Sequence, residues 1–172
     1  MPKIGEEVMY GSIGLCRIAM KMSDGVYILE PVYSKTGQLT ASFEEGGVVR
    51  ELLPREKIDE AFSDVKKAEW VWFPNPAMRS LEYKQAIKTG SFSEWLRLSW
   101  SIRNAKQKNR RDTLSVEAAD SRFQKVFERL LAEEYSAVNG IELAEAKKEI
   151  RSRMKRSKKT ENGKKEKRSA EE

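Results

Sequence analysis

The sequence contains no histidine and a single cysteine, Cys16. Without imidazole there is no Ser–His or Cys–His nucleophile pair and no imidazole metal ligand. A lone thiol closes no internal disulfide and builds no thiolate cluster for zinc. No run approaches the roughly 18 apolar residues that a membrane-spanning helix needs. The opening residues, MPKIGEEV, lack the apolar stretch of a signal peptide. These shortages lead us to expect a non-enzymatic, cytoplasmic protein with no cofactor and no metal. Carboxylate- or lysine-based catalysis stays chemically open, but no spacing in the chain suggests it.

What the chain does have is charge. Its 172 residues are 39% apolar and 35% charged, enough for one domain or two small ones. The net charge of +6 is unevenly placed. Residues 151–172 hold ten Lys/Arg and four Asp/Glu, so this tail carries all of it. The preceding chain is neutral overall, but it has a basic stretch. From Trp95 to Arg111 there is no acidic residue, while Arg97, Arg103, Lys106, Lys108, Arg110 and Arg111 are basic. All four tryptophans, Trp70, Trp72, Trp95 and Trp100, fall in or just ahead of that stretch.

The first fifty residues read as short strands. Val8–Tyr10, Ile13–Met22, Val26–Tyr33, Leu39–Phe43 and Val48–Leu52 are separated by turn signals at Gly11-Ser12, Ser23-Asp24-Gly25, Ser34–Gly37 and Glu44–Gly47. Pro31 marks an edge or a bulge, since proline cannot donate to a ladder. Five strands at this spacing predict a small barrel or rolled sheet.

Helical periodicity follows. Pro54 opens a helix ending near Ala68, with Ile58, Ala61, Phe62 and Val65 on one face. Asn75-Pro76 starts a second, over 77–88, where Met78, Leu81 and either Tyr83 or Gln85 lead to Ile87, and Thr89-Gly90 closes it. Ser93 is expected to cap a third, over 94–108. There Trp95, Leu98, Ile102 and Ala105 share a face, with Arg97, Trp100 and Asn104 on another. Ser115 is expected to cap a fourth, over 116–138, whose broad apolar stripe suits the spine of a bundle. A fifth covers 142–154. The chain thus divides into a β-rich module at 1–53, a helical one at 54–154, and a basic tail at 155–172 expected to be disordered.

Aromatics beside an unopposed basic run suit nucleic acid. The candidate DNA contacts are Trp72, Arg79, Lys84, Lys88, Arg97, Trp100, Arg103, Lys106 and Lys108. Phosphate contacts of this kind are independent of base sequence. The bland alternative is a solvated helix face. Trp95 reads as core, and Trp100 as either core or exposed. Trp70 and Trp72 either plug a seam between modules or serve as an apolar wedge against bases. In the β module, Leu39, Thr40, Ala41 and Ser42 form a short strand able to add to a partner's sheet. A plain structural sheet is the alternative there.

The order and spacing of several segments resemble the CarD/CdnL-type bacterial transcription regulators. IGEEVMYGSIGLCRI, VYILEPVYS, LTASF and RELLPREKIDEAF resemble their strands and the lead into their helices. YKQAIKTGSFSEWLRLSWSIRNA and DSRFQKVFERLLAEEYSAVNGI resemble two later helical stretches. The resemblance spans about residues 4–150. It implies an α+β fold, an SH3- or Tudor-like β module followed by an all-α bundle. It also implies binding to the RNA polymerase β subunit and to promoter DNA, and stabilisation of the open promoter complex; nothing in the sequence suggests an obligate dimer, so a monomer is expected. Leu39, Thr40, Ala41, Ser42 and Arg50 would then meet the polymerase, with Ala41 or Ser42 standing where the family carries basic residues. The family's wedge tryptophan position falls on or near Pro76, and Trp72 is the nearest candidate. The alternatives are a nonspecific nucleic-acid-binding module and a protein–protein adaptor without a polymerase role.

Overall fold

The computed structural model describes residues 2–43, 49–68, 72–108 and 115–155. The expectations placed on Trp70, the 44–47 turn, Arg110, Arg111 and the tail from residue 156 lie outside the described residues. Five strands come first: β1 (Glu7–Tyr10), β2 (Gly14–Ser23), β3 (Val26–Pro31), β4 (Leu39–Ser42) and β5 (Val49–Glu51). Then come α1 (Arg55–Lys67), α2 (Pro76–Thr89), α3 (Phe92–Lys108), α4 (Ala118–Asn139) and α5 (Leu143–Met154). The architecture is α+β, a curled antiparallel sheet followed by a helical bundle.

The sheet runs β4-β3-β2-β1-β5. Its curl comes from β2, whose pairing with β3 slips between Ile18 and Met20 and again between Lys21 and Ser23. Such bulges increase local twist and bend the strand. Val8, Cys16, Ile18, Tyr27, Leu29, Ala41 and Val49 fill the concave side. Phe43 meets Tyr27 edge-on at 5.2 Å. Pro31 is in neither an edge strand nor a bulge. It ends β3, an inner strand, beyond the four residues that pair with β4. The missing N–H is therefore harmless there.

The helices mostly begin and end where their sequence signals stand. Asn75 caps α2 by accepting from the Ala77 and Met78 amides, and Gly90 closes it at φ +69°. Two caps differ from expectation. Ser91, rather than Ser93, accepts the Glu94 amide at 3.3 Å. The helix starts early because Phe92 is drawn into the core, edge-on to Phe62 at 6.1 Å. At α4 the Asp120 carboxylate accepts the Glu117 amide at 2.8 Å, and Ser115 does not cap.

α3 runs through the middle, with Trp95, Leu96, Ile102 and Ala105 fully buried and the Trp95 indole N–H given to the Ala86 carbonyl at 2.9 Å. Around it, α1 contributes Ile58, Phe62 and Val65, and α4 contributes Phe127, Leu130 and Leu131. The helical core reaches into the sheet. Met9 and Leu15 face each other across β1 and β2 and point away from the concave side, into the helices. Neighbouring side chains of the same two strands therefore serve two cores. That is why β2 is buried on both faces at its start.

Candidate nucleic-acid and protein interfaces

Two polar joints hold the candidate surfaces in place. The first lies under α2. The Arg79 side chain is 2% exposed and donates its Nε and NH2 groups to Asp120 at 3.0 and 2.8 Å. Its remaining N–H groups go to the carbonyls of Phe73, Pro74 and Ser115 at 2.8, 3.2 and 3.0 Å. All five guanidinium donors are thus taken. Trp72 stacks on the guanidinium, 4.3 Å from its ring centre, and its indole N–H is buried without a partner. Asp120 also accepts the Tyr83 hydroxyl at 2.8 Å. Burial pushes the Asp120 carboxyl up, but Arg79, the Glu117 amide and Tyr83 together hold it below its ordinary value. Tyr83 is pushed well up by burial and by its bond to the carboxylate.

The second joint ties the sheet to α4. Arg50 of β5 forms a two-pronged pair with Glu134, both contacts at 2.6 Å, and lies 5.2 Å over the Trp95 ring. Its Nε also donates to the Gly90 carbonyl. Glu134 accepts the Leu53 amide at 3.1 Å. One residue earlier, Glu133 accepts the Leu15 amide at 3.3 Å. Arg129 completes the seam with bonds to the carbonyls of Ser12 and Ile13 at 2.7 and 3.2 Å. Burial raises the Glu133 carboxyl, against the pull of Arg129 and the Leu15 amide. Burial and the Glu133 charge push the nearby Cys16 thiol up to about 11, so it stays protonated and unreactive.

These joints decide which candidate residues face solvent. Arg79 does not lie against the outside as a phosphate contact; it is buried because Asp120 and three carbonyls satisfy it. Arg50 is turned inward onto Glu134 in the same way. Trp100 is 7% exposed and belongs to the helical core. Trp72 packs against that core beneath Arg79. Lys84 and Lys88 are exposed. Arg97 is exposed but paired with Glu82 at 2.8 Å. Lys106 donates to Gln124 at 2.6 Å. Arg103 is half-buried and Lys108 exposed.

α2 departs from the expected face at Met78 and Leu81, while Tyr83 is buried and Ile87 packs against the core. Its buried stripe is Arg79, Tyr83 and Ala86, while Met78 and Leu81 point outward at 57% and 68% exposure. Because Met78, Leu81, Lys84, Gln85 and Lys88 recur every three or four residues, they form one outer stripe. It is apolar at its first half and basic at its second, with half-exposed Phe73 just ahead. Periodicity missed Met78 and Leu81 as surface residues because apolar side chains occur all round this helix.

On the sheet, β4 is an edge strand, and no strand among the described residues pairs with its outer side. Thr40 and Ser42 are exposed, Leu39 is half-buried, and Ala41 faces the concave core. The register sets Met20, Ile28 and Thr40 in a row across β2, β3 and β4. Met20 and Met22 are more than half exposed.

Among the described residues, no group of three or more metal-ligating side chains comes together, and no helix is long and apolar enough to cross a membrane. No family model matches the chain, and no curated protein is significantly similar to it.

Proposed function

We propose that this protein is a CarD/CdnL-type transcription regulator. It works without covalent chemistry, holding the RNA polymerase β subunit with its SH3- or Tudor-like sheet and the open promoter with its helices. The observation that carries the reading is the outer stripe of α2, where exposed Phe73, Met78 and Leu81 lead into Lys84 and Lys88. Minor-groove proteins combine these elements, inserting apolar side chains between base steps while cations hold the phosphates. Arg97, Arg103 and Lys108 extend the phosphate contacts along α3. Arg50, Arg79 and Trp100 serve the same end indirectly, by fixing the helices. The β4 edge, through Leu39–Ser42, takes the polymerase by strand addition, with the Met20–Ile28–Thr40 row beside it. The protein acts as a cytoplasmic monomer.

Promoter-melting kinetics with polymerase test this directly. The full chain is expected to lengthen the lifetime of the open complex. Met78→Glu with Leu81→Glu should abolish that effect without lowering the melting temperature, and Thr40→Glu with Ser42→Glu should abolish capture of the β subunit. An open-complex lifetime that the chain leaves unchanged refutes the proposal. Duplex binding indifferent to polymerase would instead select a nonspecific nucleic-acid binder.

A further inference from the structure

The cleft between α4 and α5 plays no part in the reading above. It has a volume of about 220 Å³ and is lined by Lys125, Glu128 and Arg129 from α4 and by Lys147, Ile150 and Arg151 from α5. Four cations thus face one carboxylate. Lys125 and Arg129 stand one turn apart, as do Lys147 and Arg151, and like charges at that spacing repel. Arg129 is committed to Glu133 and to the Ser12–Ile13 backbone. Lys125, Lys147 and Arg151 form no ion pair among the described residues. Among the residues lining the cleft, Glu128 alone is set against that repulsion.

An ordinary solvated face would intersperse charges of both signs. α5 does so elsewhere, where Glu149 accepts the Tyr135 hydroxyl at 2.7 Å and Arg153 reaches Asp59 at 2.8 Å. In the cleft the cations of two helices converge instead, over the Ile150 side chain. Arg129 forms a fixed corner, since its guanidinium is already held by backbone carbonyls. Lys147 lies close enough for its charge to act on buried Glu133.

We propose that this cleft is an anion site for a ligand bearing two or more adjacent phosphates. Arg129 orients the first phosphate, and Lys125, Lys147 and Arg151 close around the rest. The phosphates are those of a free polyphosphate or nucleotide, or successive phosphates of a nucleic-acid strand. The cleft is walled by α4 and α5, and no residue of α2 lines it. It is therefore separate from the α2 stripe, and its failure would leave the transcription reading standing.

The test is calorimetric titration of the full chain at low salt with pyrophosphate, ATP and a short DNA duplex. The variants are Lys125→Gln/Lys147→Gln/Arg151→Gln and, as a control, Lys66→Gln/Lys67→Gln, two exposed lysines of α1 with no part in either site. Pyrophosphate or ATP binding that the triple change weakens by about tenfold or more, and the control leaves alone, supports a free-phosphate ligand. A comparable loss confined to the duplex supports a nucleic-acid strand and identifies the source. Unchanged melting temperature in the triple variant assigns either loss to the cleft, and the single change Lys147→Gln repeats the test should the triple variant unfold. Binding of all three probes equally by wild type and triple variant, or by neither, overturns the proposal.

Discussion

Arg79 and Arg50 both turn inward beside a tryptophan, yet they make different joints. Arg79 joins α2 to the start of α4 and spends every donor on the protein, with its side chain 2% exposed. Arg50 joins β5 to the later part of α4 and keeps 21% of its side chain in solvent. A guanidinium closed off in this way has no fallback if its carboxylate is lost, because water cannot replace the missing acceptor. One at the edge of a seam can recover part of its hydration. The fold therefore has one all-or-none joint, under the proposed DNA-facing helix, and one more tolerant joint, between sheet and bundle.

The sharpest way to break this comparison is Asp120→Ala, which leaves the Arg79 guanidinium buried without its carboxylate. It should cost about 3–5 kcal/mol in urea denaturation. Because the folded Asp120 carboxyl sits below its ordinary 3.8, the joint is at full strength above that pH and fails as pH falls towards the lower folded value. The variant should accordingly flatten the acid limb of the stability profile. Next comes Glu134→Ala, expected to cost about 2–3 kcal/mol by the same measurement, since Arg50 regains solvent. Equal losses from the two variants would erase the distinction.

The smallest effect is at Gly14, in the tolerant seam. It has φ +103°, and a Cβ there would fall 1.9 Å from the Glu133 carboxylate. Gly14→Ala should cost about 1–3 kcal/mol in thermal unfolding. The double variant with Glu133→Ala should relieve the clash but keep the backbone strain. Strict additivity of the two changes would show that the carboxylate simply moves aside.

Much of the fold was legible in the sequence. Alternation and turn residues marked all five strands, and Asn75-Pro76 with Gly90 bounded α2. Trp95 was readable as core from its row with Leu98 and Ile102. The face of α2 was readable only in part. Burying Arg79 rather than Leu81 depends on Asp120, forty-one residues away, and on carbonyls of two loops. Local apolar periodicity contains nothing of that. The surroundings of the basic run were hidden for a related reason: Arg97 and Lys106 find Glu82 and Gln124 on neighbouring helices, which no local pattern announces. The α4–α5 cleft went unseen because it arises only when two separate helices bring their cations together.

α4 itself has a mechanical consequence. Its twenty-two residues make a rod about 33 Å long at 1.5 Å per residue. α2 is clamped to it at Asp120, and the sheet is clamped at Arg129, Glu133 and Glu134, between about half and three-quarters of the way along. Neither clamp is a hinge. The outer stripe of α2 and the free edge of β4 are thus carried at a set reach and angle, like two jaws on one beam. Two objects gripped together by this protein would have their spacing imposed by the beam, and slack in either clamp would turn a rigid gauge into a tether.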